Sequence, residues 1–236
     1  MGTPTRYTYG ISTVAKTNTL GDFPMPHPFR SSSNNNRNIG TVVYANDFDT
    51  LIGTDYTVTG LSSTFALTST VVGGAAVLTP GAATTASSAY KNGQFIQFIA
   101  GNKLWFEARF EISALAGTAY VGLQAGSATT DGLWFAVNAS GVVSLVSTVG
   151  STATTLVNNI TTIAGATFVN VGIYYNGTDL LVFLNNAEIA RVSAPTIGSS
   201  GTTLTNALLT PVYQITPTAS QTLTVDYALV AQEVTR

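Results

Sequence analysis

From Thr41 to its C-terminus, the chain consists of short stretches in which apolar and polar residues alternate, and this pattern restricts it to β-structure. The clearest stretch is KLWFEARFEIS at residues 103–113. Because successive side chains of a strand point to opposite faces, its apolar positions share one face. The opposite face carries Trp105, Glu107, Arg109 and Glu111. No convincing helical period interrupts the pattern, so we expect strands throughout this part of the chain.

Turn residues separate the alternating stretches and predict hairpins. Two strands are expected on either side of Asn138–Gly141. Further on, Asn176-Gly177 and Asn185-Asn186 supply residues that tolerate a positive φ, which favours tight turns between three successive strands. Additional strands are predicted at residues 41–48, 64–68, 75–79, 94–99, 118–125 and 209–215.

The closing stretch, residues 222–231, also alternates, and it places Leu223, Val225, Tyr227 and Leu229 on one predicted face. The total of about twelve to fifteen short strands predicts an all-β fold, an antiparallel two-sheet β-sandwich of the jelly-roll type. We expect this sandwich to span residues 41–236 as a single domain, preceded by an arm and linker at residues 1–40.

The N-terminal stretch does not share this pattern. Pro24, Pro26 and Pro28 stand at every second position, which favours extended, polyproline-like backbone. The tract SSSNNNRN that follows is typical of a polar linker. An extended arm makes few contacts with itself, so we expect it to be ordered by binding another protein. The predicted contact residues are Tyr7, Tyr9, Phe23, Pro24, Met25, Pro26, His27, Pro28, Phe29 and Arg30.

Charge and cysteine content narrow the possible partners and compartments. Only 8% of the residues are charged, which is typical of a protein built into a static assembly, and the net charge is −2. We therefore expect neither nucleic acid nor a membrane surface as a partner. The chain contains no cysteine, which excludes disulfides and thiolate metal sites. Its first 16 residues lack the apolar run of a secretory signal, so we expect synthesis in a cytoplasm.

A catalytic interpretation of the acidic residues is weak, and we expect no enzyme. Glu107 and Glu111 lie about 13 Å apart along a strand, whereas paired carboxylates of retaining glycosidases lie about 5 Å apart. Arg109 stands between them and is expected to keep both ionised in a surface charge ladder.

Metal and cofactor sites are also not expected. Asp47 and Asp49 offer two oxygen ligands for calcium, but two acids at the end of a strand are more often turn formers. The single histidine, His27, lies between two prolines and is interpreted as a contact residue of the arm.

Aromatic residues offer a different kind of site. Trp105 and Trp134, with Tyr174 and Tyr175, suit a platform on which a sugar ring stacks. The same residues suit the core between the two sheets or a contact between subunits, and the sequence leaves these alternatives open.

Several stretches together resemble a known structural family. LWFEARFEIS, VGLQAG, DGLWFAVNASG, residues 169–192 and LTVDYALV resemble the concanavalin A-like, or laminin G-like, β-sandwich. Preceded by the opening TPTRYTYGISTVAKTNTLGDFPMPHPF, they are similar to capsid cement, or head decoration, proteins of tailed bacteriophages. The glycosidase branch of the sandwich family carries Glu, Asp and Glu along one strand. This chain has Glu107, Arg109 and Glu111 there, which argues against hydrolysis.

The resemblance implies a structural virion protein that binds the outside of a phage head. It implies the major capsid protein as partner, a homotrimer as assembly, and the outer capsid surface as location after synthesis in the cytoplasm of a bacterial host. The arm would then be the capsid-binding element. The alternatives are a carbohydrate-binding, lectin-like module carried on a virion, with Trp105 and Trp134 as contacts, and a structural component of the tail or neck.

Overall fold

The computed structural model describes residues 39–68, 71, 73–81, 86–126 and 129–235. Within this part of the chain it contains 17 strands and one 3-10 turn, Gly53–Asp55. The ten predicted contact residues of the arm lie outside the described residues. The first strand begins at Ile39, two residues before the predicted start of the sandwich. Among the described residues, no helix has the length and apolarity needed to cross a bilayer.

Two antiparallel sheets of eight and seven strands, called sheet A and sheet B, form a β-sandwich and confirm the predicted fold class. In spatial order, sheet A contains β13 (Ala187–Val192), β12 (Leu180–Leu184), β11 (Val169–Tyr175), β6 (Leu104–Ile112), β17 (Leu223–Thr235), β4 (Ala75–Thr79) and β3 (Thr64–Thr68). β1 (Ile39–Asn46) pairs with residues 228–235 of β17, next to the place where β4 pairs with residues 223–225.

Sheet B is assembled around a meander of four strands. In spatial order it contains β10 (Thr152–Thr162), β9 (Val142–Val149), β8 (Gly132–Val137), β7 (Gly117–Gln124), β16 (Thr210–Pro217), β5 (Ser87–Lys91) and β2 (Tyr56–Thr59). A short parallel pair, β14 (Ile197–Gly198) and β15 (Leu204–Thr205), lies outside both sheets.

The hydrophobic core lies between the two sheets. On β6, the inner side chains are at most 1% exposed, as the alternating pattern predicts; they are Leu104, Phe106, Ala108, Phe110 and Ile112. Their cross-strand neighbours on β11 include Val171 and Ile173, which are equally buried. Burying each large apolar side chain contributes about 1.5–3 kcal/mol, so the paired inner faces hold the sheets together.

A β-bulge at Asp226 changes which residues of β17 face the core. The register between β17 and β6 shifts between Val225 and Tyr227. Leu223 and Val225 pack in the main core, but Tyr227 and Leu229 belong to a separate cluster on the outer face of sheet A. The prediction that these four residues share one face is therefore wrong, because a bulge inserts one residue and inverts the alternation beyond it.

The predicted turns are present, although one differs in length. Asn185 and Asn186 both have positive φ, 48° and 69°, and join β12 to β13 directly. The loop between β11 and β12 spans four residues instead of two, and only Gly177 has positive φ there. Asn176 Oδ1 accepts hydrogen bonds from the backbone N–H groups of Thr178 and Asp179, which stabilises the longer loop.

Some strands differ from the prediction. Residues 94–99 contain only an isolated bridge between Ile96 and Leu209, so the strand expected there is wrong. The strands β2, β5 and β10 were not predicted from the alternation. β10 illustrates the reason, because its sequence TATTLVNNITT is mostly Thr and Asn and lacks a regular apolar face.

Candidate functional site

A groove on the outer face of sheet B is the strongest candidate for a binding site among the described residues. It has a volume of about 340 Å³, which falls in the range of small-molecule sites. β7, β8, β9, β10, β16 and the loops beside them supply its walls. Its lining residues are Thr118, Tyr120, Gln124, Thr129, Trp134, Val146, Thr148, Ser151, Ala153, Gln214 and Thr216.

The strand register explains why these residues meet. Trp134 on β8 is the cross-strand partner of Val146 on β9 and of Gly122 on β7. Tyr120, two residues from Gly122, is the partner of Gln214 on β16. Side chains two residues apart on a strand share a face, so all of these side chains belong to the outer face of sheet B.

Two glycines make room for Trp134, Gly132 for its indole ring and Gly122 for its backbone and Cβ. A Cβ added to Gly132 would lie 1.9 Å from Trp134 Cζ3, and one added to Gly122 would lie 2.7 Å from Trp134 Cβ. The ring can therefore lie flat along the sheet. Trp134 is only 5% exposed, so it forms the floor of the groove instead of a freely exposed platform.

Tyr120 stands beside this floor and completes an aromatic corner. Its ring is 5.9 Å from that of Trp134, centroid to centroid, at an interplanar angle of 82°. This edge-to-face arrangement is a favoured geometry for aromatic pairs. Tyr120 is half-buried, so part of its ring and its hydroxyl remain available to a ligand.

The rest of the groove is polar but uncharged. Amide groups come from Gln124 and Gln214, and hydroxyl groups from threonine and serine residues. Gln124 is buried, and its Nε2 donates a 3.1 Å hydrogen bond to the Gly126 carbonyl, which fixes the side chain. Among the described residues that line the groove, none is Asp, Glu, Lys, Arg or His.

Asp131 lies next to the groove but is used to hold loops. Its Oδ1 accepts hydrogen bonds from Thr205 Oγ1 at 2.6 Å and from the Gly150 backbone N–H at 3.3 Å. The carboxylate thereby ties the β9–β10 turn to β15. The carboxylate of Asp131, the acid closest in sequence to Trp134, therefore has a structural role.

A second cleft lies where Val149, Thr152 and Thr154 face the loop at residues 200–203. Its volume is about 510 Å³. Its described lining contains hydroxyl groups and backbone but no aromatic ring. The Trp134 groove, which has both aromatic and amide groups, is the better candidate site.

Glu107 and Glu111 lie far from this groove, on the outer face of sheet A. Arg109, between them, forms its ion pair with Asp226 at the bulge of β17, and its guanidinium lies 4.4 Å from the centre of the Phe168 ring. The predicted surface ladder is therefore wrong for Glu107, which is only 3% exposed.

Glu107 instead belongs to a buried hydrogen-bond network. Its Oε1 accepts hydrogen bonds from the Tyr227 hydroxyl at 2.7 Å and from Asn170 Nδ2 at 2.9 Å. Burial raises the pKa of the Glu107 carboxyl, and the hydrogen bonds from Tyr227 and Asn170 partly oppose this increase. Burial, followed by the nearby Glu107 charge, also raises the pKa of Tyr227.

The four aromatic residues considered for a sugar platform do not form one surface. Trp134 lies on the outer face of sheet B, whereas Trp105 and Tyr174 lie together on the outer face of sheet A, with ring centroids 5.9 Å apart. Tyr175 is in the core between the sheets, where its ring contacts Phe98. A platform shared by Trp105 and Trp134 is therefore wrong, because the two residues face away from each other.

The remaining candidates are placed as follows. Asp47 and Asp49 follow β1, and the intervening Phe48 has a φ of 49° and is held by a 2.8 Å hydrogen bond from its N–H to Asn46 Oδ1. Within the described residues, no group of three or more His, Cys, Asp or Glu side chains is arranged to bind a metal ion. His27 lies outside the described residues.

The sequence analysis named Trp134 as a possible contact but did not name Tyr120, Gln124 and Gln214, which line the groove with it. The usable signal was the alternation in TAYVGLQ, which places Tyr120, Gly122 and Gln124 on one face. The contribution of Gln214 depends on the pairing of β16 with β7, which are about 90 residues apart in sequence. A pairing between strands so far apart leaves no local sequence pattern from which it could be predicted.

Comparisons with known proteins identify the fold. No family model and no curated protein sequence matches the chain. An endo-1,3-β-glucanase from Streptomyces sioyaensis superposes with a TM-score of 0.56 at 13% identity, over 86% of this chain and 99% of the enzyme. Peanut lectin superposes with a TM-score of 0.54 at 11% identity, over 84% of this chain and 100% of the lectin. The exoplasmic/lumenal domain of VIP36, in a form bound to Ca²⁺ and Man3GlcNAc, superposes with a TM-score of 0.53 at 12% identity, over 78% of this chain and 86% of that domain.

The chain therefore has the concanavalin A-like β-sandwich fold, which lectins and glycoside hydrolases share. At these identities the likeness shows the fold and not the activity. None of these three structures is described as a virion protein, so the capsid role, the homotrimer and the virion location stay predictions.

Proposed function

We propose that this protein is a carbohydrate-binding module that holds an uncharged glycan in the Trp134 groove without hydrolysing it. The observation that carries the proposal is the composition of the groove, in which an aromatic corner is combined with amides and hydroxyls. The C–H faces of a sugar ring pack against aromatic rings, and its hydroxyls exchange hydrogen bonds with amides. The fold supports the proposal, since a lectin and a glycan-bound domain share it.

The absence of charge in the described lining defines the kind of glycan. A charged uronic acid or sialic acid loses hydration on binding and needs a cation in return. The described lining supplies no such cation. Neutral oligosaccharides lose less hydration, so we expect the groove to favour them.

Hydrolysis is not supported by the groove. Glycosidases of both stereochemical types use two carboxyl groups about 5–9.5 Å apart. The described lining of the groove contains no carboxyl group, and Glu107 and Glu111 lie on the opposite outer face of the sandwich. An incubation of 1,3-β-glucan oligosaccharides with the full chain should therefore release no reducing ends. Release that is lost in Glu107→Gln would instead indicate a hydrolase.

Binding is tested by calorimetric titration of the full chain with 1,3-β-glucan oligosaccharides, Man3GlcNAc and an oligouronate. We expect binding of at least one neutral glycan and none of the oligouronate. Tyr120→Ala and Gln214→Ala should weaken the binding by about tenfold each, because each removes one hydrogen bond or ring contact worth about 1–1.5 kcal/mol.

A matched control comes from the second cleft. Thr154→Ala removes an exposed hydroxyl on β10, outside the Trp134 groove, and should leave the affinity unchanged. The proposal fails if no neutral glycan binds. It also fails if binding survives both groove substitutions unchanged.

A further inference from the structure

The outer face of sheet A carries an apolar surface that the glycan groove does not use. Five of its side chains are consecutive cross-strand partners, so they form a row across the sheet: Val43, Ala231, Trp105, Tyr174 and Leu181. Ala45, Leu229 and Phe183 lie beside this row. We call these eight residues, together with Tyr227, the outer apolar face.

Most of this face is deeply buried although it lies on the outside of the sandwich. Trp105 is 1% exposed, Leu229 and Ala231 are 0% exposed, and Tyr174 is 9% exposed. Every residue of the face lies on a strand of sheet A, and sheet B packs against the other side of that sheet. A single layer of side chains on an open sheet keeps one side in water, so burial of this depth indicates a covering layer.

Two polar atoms within the face indicate the chemistry of that layer. Trp105 Nε1 and Glu107 Oε2 are buried, and neither makes a hydrogen bond of regular geometry with the described residues, although the indole lies close enough to the Glu107 carboxyl to oppose the increase that burial causes in its pKa. A buried donor or acceptor without a partner costs about 1–3 kcal/mol, so native proteins rarely leave one unpaired. The covering layer should therefore present both an acceptor for the indole and a donor for the carboxyl oxygen.

The chain itself supplies a segment with these properties. Residues 1–38 lead directly into β1, whose Val43 and Ala45 form the margin of the outer apolar face. Residues 29–38 can span up to about 35 Å, whereas the six strands from β1 to β13 occupy only about 24 Å. The proline stretch at residues 24–28 can therefore reach any part of the face.

We propose that the outer apolar face binds the proline stretch of the same chain, PMPHP at residues 24–28, in cis. Proline-rich segments in the polyproline conformation dock into grooves lined by aromatic residues, at low entropic cost. Trp105, Tyr174, Tyr227 and Phe183 supply such a lining. Backbone carbonyls of the stretch would accept from Trp105 Nε1. Backbone N–H groups of Met25, His27 or Phe29 would donate to Glu107 Oε2.

Tethering favours this occupant over a free partner. A short tether gives an effective concentration of about 1 mM, so a stretch that binds with a dissociation constant of only about 0.1 mM is docked in roughly nine molecules of ten. Weak recognition is therefore sufficient.

Hydrogen exchange on the unmodified full chain provides the first test. If the stretch is docked, the amides of Met25, His27 and Phe29 exchange much more slowly than those of a free peptide of residues 20–32. Exchange at the rate of the free peptide would overturn the proposal. This measurement needs no substitution, so it does not depend on whether a variant folds.

Fluorescence of Trp105 provides the second test. In a full chain with Trp134→Phe, Trp105 is the only tryptophan, since the sequence has two. We expect a blue-shifted emission that acrylamide quenches weakly. Replacing Pro24, Pro26 and Pro28 by serine should shift the emission to the red and raise the quenching constant severalfold. Pro4→Ser, in the same segment but outside the stretch, is the control and should change neither. Unchanged Trp105 emission in the triple variant would contradict the proposal.

A nitroxide label distinguishes the chain's own segment from that of a second copy. The chain has no cysteine, so Gly21→Cys provides a unique attachment site beside the stretch. Docking in cis predicts quenching of Trp105 that does not depend on protein concentration. Quenching that increases with concentration would show that a neighbouring copy supplies the segment, and absence of quenching would show that the stretch does not lie on the face. Either result would overturn docking in cis.

Discussion

The Tyr227 hydroxyl donates a 2.7 Å hydrogen bond to Glu107 Oε1, although the two residues are not register partners. Glu107 pairs directly with Leu229, and Tyr227 pairs with Arg109. The bulge at Asp226 places Tyr227 on the outer face, where it reaches Glu107 diagonally. Asn170 Nδ2 joins both groups, at 2.7 Å from the Tyr227 hydroxyl and 2.9 Å from Glu107 Oε1. One extra residue in β17 therefore creates a buried polar network on an apolar surface.

Replacing Glu107 by Gln should stabilise the protein at neutral pH relative to the natural chain. Burial raises the folded-state pKa of Glu107 above the unfolded value of about 4.3. The folded state then holds a proton that the unfolded state has released, so stability falls as pH rises from the unfolded pKa through the folded pKa. Each pKa unit of difference corresponds to about 1.4 kcal/mol. Glutamine keeps the acceptor for Tyr227 and Asn170 without the charge.

Urea unfolding of both chains between pH 4 and pH 8 measures this effect. The advantage of Glu107→Gln should be small at the acidic end and grow across the window until Glu107 is ionised. Contributions from other titrating groups cancel in the difference. A constant difference over the whole range would show that the Glu107 pKa is not raised.

Replacing Arg109 by Ala should destabilise the sandwich by about 2–4 kcal/mol. Asp226 is 0% exposed and forms an ion pair with Arg109, so removing the guanidinium removes a charged partner of a buried carboxylate. The loss should be below the full value for a buried pair, because the Arg109 side chain is 38% exposed.

A double-mutant cycle with Asp226→Asn separates the ion pair from general packing effects. Asparagine at this position removes the charge that Arg109 balances, so Arg109→Ala should cost less in that background. Equal losses in both backgrounds, measured by urea unfolding, would show that the pair contributes nothing to stability.

The sequence predicts the sandwich well because its local patterns are strong. The alternation of β6 places Phe106 inside and Trp105 outside, and both assignments are confirmed. The Asn185-Asn186 turn is also confirmed, because few residue types tolerate positive φ at two successive positions. These features depend on neighbours in the sequence.

Features that depend on distant pairing were not predicted. The groove requires the register of β16 against β7, and the Glu107 network requires the bulge at Asp226. The sequence around Asp226, TVDYALV, alternates without any visible interruption, so it conceals the bulge. The arm residues lie outside the described part of the chain, so their predicted role in capsid binding stays a prediction. Docking in cis would remove the reason to expect that the arm needs another protein.

Adding a methyl group to Gly132 should distort the glycan groove. The new Cβ would lie 1.9 Å from Trp134 Cζ3, so the indole must leave its position against the sheet. We expect Gly132→Ala to destabilise the fold by about 1–3 kcal/mol, as overpacking does. It should also weaken the binding of any neutral glycan that the natural chain binds.

Thermal unfolding and glycan titration of the same preparation measure both effects. Gly53→Ala is the matched control, because a Cβ there meets no atom within 4 Å, and it should change neither. If Gly132→Ala binds glycan with natural affinity, Trp134 is not part of the binding site.

Removing metal ions should leave glycan binding unchanged. Calcium needs six to eight oxygen ligands, usually including carboxylates, and the described lining of the groove offers no carboxylate. Asp131, the acid closest in sequence to Trp134, is held by hydrogen bonds from Thr205 and the Gly150 N–H. Titration of a neutral glycan before and after treatment with EDTA should therefore give the same dissociation constant, and Asp131→Asn should bind the glycan in the presence of EDTA. A loss of affinity in EDTA that added calcium restores would show that the site depends on a metal ion.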